Sequence, residues 1–142
     1  MDSIRALFED YQKELGLDLC FQGFEKELNE LPGVYAEPEG CILIAEVDGE
    51  IAGVVALKSL GQGISEMKRL YVKPSFRSLK LGRKLAEALI EEARSKRYQT
   101  MKLDTLSRLQ SAISLYESLG FTETSAYNYN PDETVKYFKI EL

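Results

Sequence analysis

Residues 66–85 read EMKRLYVKPSFRSLKLGRKL. Glu66 to Val72 has the make-up of a strand, Pro74 opens a turn, a basic loop follows, and an amphipathic helix begins near Leu81. A strand that runs through a loop into a helix leaves several N–H groups of the first helical turn without internal partners. The helix dipole adds positive potential at the same point, which suits a phosphate or pyrophosphate. Arg77, Lys80, Arg83 and Lys84 surround it, and no acidic residue falls between Lys68 and Ala86. This is a place to hold an anion, although charge alone would also fit a solvated helix face.

The charge distribution supports the first alternative. Residues 66–102 carry eleven Lys/Arg against four Asp/Glu, while the remainder carries seven against nineteen, within a net charge of −5. A basic segment in an acidic chain fits a compact anionic ligand better than nucleic acid. There is no histidine, so acid–base chemistry falls to carboxylate, tyrosine, cysteine, lysine or water. Cys20 and Cys41 have no metal-ligand spacing and read as reduced core thiols; no metal is expected. No apolar run approaches the ~18 residues of a membrane span, and the acidic N-terminus is unlike a signal peptide. A single domain over residues 1–142, cytoplasmic and away from membranes, is expected.

Working outward, Ile4, Leu7, Phe8, Tyr11 and Leu15 mark a helix over 3–15 that Gly16 ends. A second helix is predicted over about 21–31, closed by Pro32-Gly33, with a loop over 34–40. Apolar runs at 41–47 and 51–57 flank Asp48-Gly49, the two-residue turn of an antiparallel hairpin. Gly61-Gln62-Gly63 then turns the chain into the strand 64–73. The central helix runs from Leu81 to about Lys96, with Glu92 and Lys96 as an i,i+4 pair. Thr100 to Thr105 forms a strand parallel to its predecessor, since a helical crossover joins them. Ser107 to Gln110 reads as a capping box for a helix that Gly120 stops. Strands at 121–124 and 134–142 complete the chain, joined by an aromatic, turn-like linker.

Two of these stretches resemble the signatures of the GNAT superfamily of N-acetyltransferases. Arg77, Ser78, Leu79, Lys80, Leu81 and Gly82 are similar to the acetyl-CoA motif [RQ]-x-x-G-x-[GA], with Lys80 in place of the first glycine. Residues 112–121, from Ala112 through Leu115-Tyr116 to Gly120-Phe121, are similar to A-x-x-L-Y-x-x-x-G-F. Leu109 stands where many members have a cofactor-contacting asparagine. The resemblance implies an α/β fold with a mixed, mostly antiparallel twisted sheet and helices on both faces. The family's usual first strand, ahead of the first helix, is expected to be absent.

The resemblance also implies a function: transfer of an acetyl group from acetyl-CoA, as co-substrate, to a primary amine by direct attack in a ternary complex. The amides from Arg77 to Lys84 would cradle the pyrophosphate, and the backbone of Leu70, Tyr71 and Val72 would bind the pantetheine arm. The Leu70 amide would polarise the thioester carbonyl. Tyr116 matches the tyrosine that gives a proton to the departing thiolate, although its helical spacing also suits a core aromatic. For the base, Glu66 is the first candidate, because a carboxylate in a cleft can be tuned by its surroundings; water and Asp104 are alternatives. Tyr127, Tyr129 and Asp104 are candidates for the acceptor pocket. The acceptor, a small-molecule or peptide amine, is not legible, and a homodimer is compatible with the family. From another class, a non-catalytic CoA-binding regulatory module would share the same scaffold. A P-loop is excluded by the absence of its motif.

Overall fold

The computed structural model describes residues 2–16, 24–128, 130 and 133–142; Cys20, Phe21 and Tyr129 lie outside the described residues. Helix α1 (Asp2–Leu15) precedes α2 (Phe24–Asn29) and a short 3-10 turn at Gly33–Tyr35. Six strands follow: β1 (Cys41–Val47), β2 (Glu50–Gly61), β3 (Ile64–Val72), β4 (Thr100–Leu106), β5 (Thr122–Thr124) and β6 (Val135–Glu141). Helix α3 (Leu81–Ser95) connects β3 to β4, and α4 (Gln110–Ser118) connects β4 to β5.

The strands form one sheet in the order β1-β2-β3-β4-β6-β5, in which only β3 and β4 are parallel. This is the expected mixed, mostly antiparallel arrangement. Asp48 and Gly49 both adopt positive φ, as a two-residue hairpin turn requires, so Val47 faces Glu50. Side-chain alternation along β2 then supplies two cores from one strand. Val55 and Leu57 pack with Leu85, Leu89 and Ala93 of α3 and with Ile113 and Tyr116 of α4. Val54 and Ala56 pack on the opposite face with Leu7 and Phe8 of α1 and Phe24 and Leu28 of α2. Helices therefore cover both faces, because a strand buried on both sides is apolar throughout.

Three local expectations change. Ser107 does not cap α4: residues 107–109 continue as a turn, with the Leu109 N–H donating to the Leu106 carbonyl at 3.0 Å, and Leu109 precedes the helix without a side-chain cap. Gln110 bonds the Ser107 carbonyl at 2.7 Å instead of closing a capping box. Lys96 pairs with Glu37 and the Pro38 carbonyl rather than with the Glu92 carboxylate, because the segment before β1 passes beside the end of α3. The second helix ends at Asn29 rather than Leu31, while its expected start at Phe21 lies outside the described residues. Gly120 does stop α4, with φ of +104°: its N–H bonds Glu117 and the Phe121 N–H bonds Tyr116. Cys41 is a buried free thiol, and burial, followed by Glu92, pushes its pKa up to about 11.

Candidate active site

The feature that creates a site is a failure of pairing. β3 and β4 pair at Ile64–Thr100, Ser65–Met101 and Glu66–Lys102, and there the ladder between them stops. Beyond that point the strands part around a cavity of about 560 Å³. Its lining includes Leu70, Tyr71 and Val72 from β3, Asp104 from β4, Gln110 and Tyr116 from α4, and Tyr11 and Glu14 from α1. Backbone groups of β3 facing the gap lack the strand neighbour that an interior strand normally has.

The opening is reinforced by a β-bulge. Val54 faces Tyr71 and Ala56 faces Lys68, so Arg69 and Leu70 together oppose the single residue Val55. Arg69 carries φ of +61° there. Its guanidinium is buried and forms a fork with Glu27 of α2. Neighbouring Lys68 lines the cavity, and burial, then the charge of Arg69, lowers its pKa.

At one end of the gap lies the loop before α3. After the 3-10 turn Pro74–Leu79, Lys80 adopts φ +59°, ψ +31° and leads into Leu81 without capping the helix through its side chain. A glycine would hold this left-handed conformation without steric cost; here a lysine holds it. The first bond of α3 runs from the Lys84 N–H to the Lys80 carbonyl at 3.3 Å, so the Leu81, Gly82 and Arg83 amides sit ahead of the helical ladder. A Cβ on Gly82 would make ordinary van der Waals contact with Leu115 and Val72, each at 3.9 Å. Ser78, Leu79, Lys80, Arg83 and Lys84 are exposed around these amides, whereas the Leu81 side chain is buried.

Two of the basic side chains are turned elsewhere. Arg77 donates from Nε to the Val72 carbonyl at 2.9 Å, pairs with Glu14 of α1, and lies 5.6 Å from the Tyr71 ring. Arg83 reaches Ser118 of α4 at 2.8 Å and Glu87 at 3.7 Å. Arg108 donates to the Leu15 carbonyl and so ties the start of α4 to the end of α1.

At the other end, side chains from distant segments converge. Glu66, 2% exposed, accepts a hydrogen bond from the Tyr127 hydroxyl at 2.6 Å and lies 3.9 Å from Lys58 Nζ. Lys102 Nζ stands 5.3 Å from the Tyr127 ring centroid, and Tyr137 meets that ring edge-on at 5.3 Å. Asn128 donates to Asp104 at 3.2 Å. Glu66, Asp104 and Tyr127 thus belong to one cluster; Lys58, Lys102, Asn128 and Tyr137 join it without having been singled out by sequence. Only their residue type and strand position could have hinted at this. Of this cluster only Asp104 lines the cavity; Glu66 and Tyr127 lie beyond its lining.

Burial, then the Glu66 charge, raises the Tyr127 pKa far above the ordinary tyrosine range. Tyr116 is also raised, by burial first and then by Tyr11 and Asp104, and its ring rests edge-on against Phe121. Both phenols hold their protons at neutral pH.

A cleft between two parting parallel strands thus has the basic loop before α3 at one end and the Glu66–Tyr127 hydrogen bond at the other. The family model described as Acetyltransferase (GNAT) family matches residues 2–121, and the chain belongs to that family. It is 40% identical over its whole length to an uncharacterised N-acetyltransferase of Schizosaccharomyces pombe, 88% of which is covered. The fold is similar to that of a GNAT-family acetyltransferase from Staphylococcus aureus, with a TM-score of 0.81, 20% identity, and coverage of 98% of this chain and 93% of that one. It is also similar to the PaiA N-acetyltransferase of Thermoplasma acidophilum in complex with coenzyme A, with a TM-score of 0.70, 23% identity, and coverage of 84% and 71%. Among the described residues, no helix is long and apolar enough to cross a membrane.

Proposed function

We propose that this N-acetyltransferase moves an acetyl group from acetyl-CoA directly to a primary amine held at the Glu66–Tyr127 end of the cleft. The observation that carries the reading is the parting of β3 and β4 beyond Glu66, with Tyr116 in the lining of the resulting cavity. The residues present fit the co-substrate. The first-turn amides of α3 suit its pyrophosphate, and the unpaired edge of β3 suits its amide-bearing arm.

In the reaction, the neutral amine attacks the thioester carbon and the C–S bond breaks. The Leu70 N–H stabilises negative charge on the carbonyl oxygen. Tyr116 gives its proton to the departing sulfur. Its raised pKa makes it a weak acid, so transfer depends on placement beside a thiolate that is itself desolvated and therefore strongly basic. The proton lost by the amine passes to the Tyr127 oxygen as Tyr127 passes its own to Glu66, a relay suited to their 2.6 Å bond. Solvent exchange then resets Tyr116 and Glu66. Asp104 and Asn128 border the acceptor side.

The test is acetyl-CoA turnover by purified protein against a panel of metabolite amines, amino acids and peptides. Thiol release with at least one amine, reduced about tenfold or more in kcat by Tyr116→Phe, is the expected result. CoA binding without thiol release above background, unchanged by Tyr116→Phe, would identify a binding module instead.

A further inference from the structure

The buried ion pair at the bulge has no part in the proton transfers described above. Arg69 is 3% exposed, and its Nε and Nη2 reach the two Glu27 carboxylate oxygens at 2.9 Å each. The same guanidinium lies 5.2 Å from the Phe24 ring centroid and 5.8 Å from that of Tyr11. Both ring contacts and the fork thus hold one side chain between α1, α2 and β3. Its backbone, at φ +61°, is in a conformation that sterics disfavour for any residue with a Cβ. Such a conformation persists only where its surroundings over-determine it.

What this backbone does is geometrical. The peptide plane joining Arg69 to Leu70 is rigid and contains the Leu70 N–H, so the torsions of Arg69 fix where that N–H points. Leu70 lines the cavity, at the point where β3 carries two residues against one in β2. If Arg69 returned to the extended region, the plane would rotate and carry the N–H with it.

We infer that the Arg69–Glu27 pair is a positioning device that locks the bulge, so that the Leu70 N–H is aimed at the acyl carbonyl. This rests on the acyl-transfer reading given above. Neither side chain touches a reacting atom: the fork acts through the backbone. A planar five-donor group is suited to the task because a bidentate bond fixes orientation as well as distance. Glu27, from α2, couples the same lock to the helix on the far face of β3.

The test uses acetyl-CoA labelled with carbon-13 at its carbonyl, bound to the full chain without amine. In the wild type, the bound carbonyl stretch is expected below that of free acetyl-CoA. In Glu27→Gln and Arg69→Lys it should return at least halfway to the free value, with kcat falling about tenfold, while CoA binds with wild-type stoichiometry and within twofold of wild-type affinity. A variant that binds with full stoichiometry and keeps the wild-type stretch overturns the inference, and so does a wild type that binds without any shift. A wild type that binds no acetyl-CoA defeats the underlying functional reading instead. Should both variants fail to fold, the wild-type Leu70 amide proton resonance decides. It must move on adding acetyl-CoA by clearly more than on adding CoA, and equal responses overturn the inference.

Discussion

The two ends of the cleft are built differently. Around Lys80 to Lys84 the available groups are main-chain amides and exposed, loosely committed cations, all within one continuous stretch of sequence. Around Glu66 they are side chains, buried or half-buried apart from the exposed Asn128, joined by hydrogen bonds, an ion pair and ring contacts and gathered from β2, β3, β4, β6 and the linker before β6. Backbone recognition tolerates changes of side chain, because every non-proline residue supplies an N–H. Side-chain chemistry does not. Substitutions at the first end should therefore be mild and those at the second severe.

The sharpest way to break this comparison is Glu66→Gln. It keeps the shape and removes the proposed proton acceptor, so kcat should fall about a hundredfold or more with CoA affinity unchanged. Steady-state kinetics showing a loss under threefold would move the base to water or Asp104. Tyr127→Phe removes the 2.6 Å bond to Glu66 and with it the first acceptor of the proposed relay, and should lower kcat by about a hundredfold as well; a larger effect on CoA binding than on kcat would refute the relay.

The contrast also has a pH signature. Tyr116 and Tyr127 have folded-state pKa values above the ordinary 10.0, while the unfolded chain ionises there. The stability they confer is thus fully present below about pH 10 and is lost as pH rises beyond it. Chemical denaturation between pH 8 and 11.5 should show that decline, and Tyr127→Phe should flatten it. Equal slopes would show that Tyr127 is not held protonated by the fold.

The remaining tests concern the cradle. Lys80→Gly relieves a left-handed lysine and should raise stability by about 1 kcal/mol, or roughly 3 °C in Tm, with little change in CoA affinity. A lower Tm would contradict that account of Lys80. Glu14→Gln frees Arg77 from its partner on α1 and should tighten CoA binding two- to threefold, since an exposed pair is worth only about 0.2–1 kcal/mol. Calorimetry finding weaker binding would show instead that the Arg77–Glu14 bridge helps to form the site.

Most element boundaries are legible because their signals are local. Asp48-Gly49 makes a hairpin through its own φ angles, and Gly120 stops α4 in the same way. The capping box at Ser107 misleads because a favourable side-chain pattern competes with a turn set by the end of β4. Lys96 chooses Glu37 over Glu92 because that partner, 59 positions away, is brought near by the fold. Arg69, a cation in a basic run, is buried against Glu27, 42 positions away, which no local pattern announces.

Sequence by itself determined the strand–loop–helix unit and the sheet's mixed character, which follow from backbone preferences and apolar periodicity over a few consecutive residues. The two signature stretches are legible as a resemblance, from residue types at fixed spacing. Only the tertiary structure decided where β3 and β4 separate, that Tyr127 bonds Glu66, and that Arg69 is locked by α2. Those are relations between segments far apart in the chain, fixed by packing on both faces of the sheet, and no local pattern encodes them.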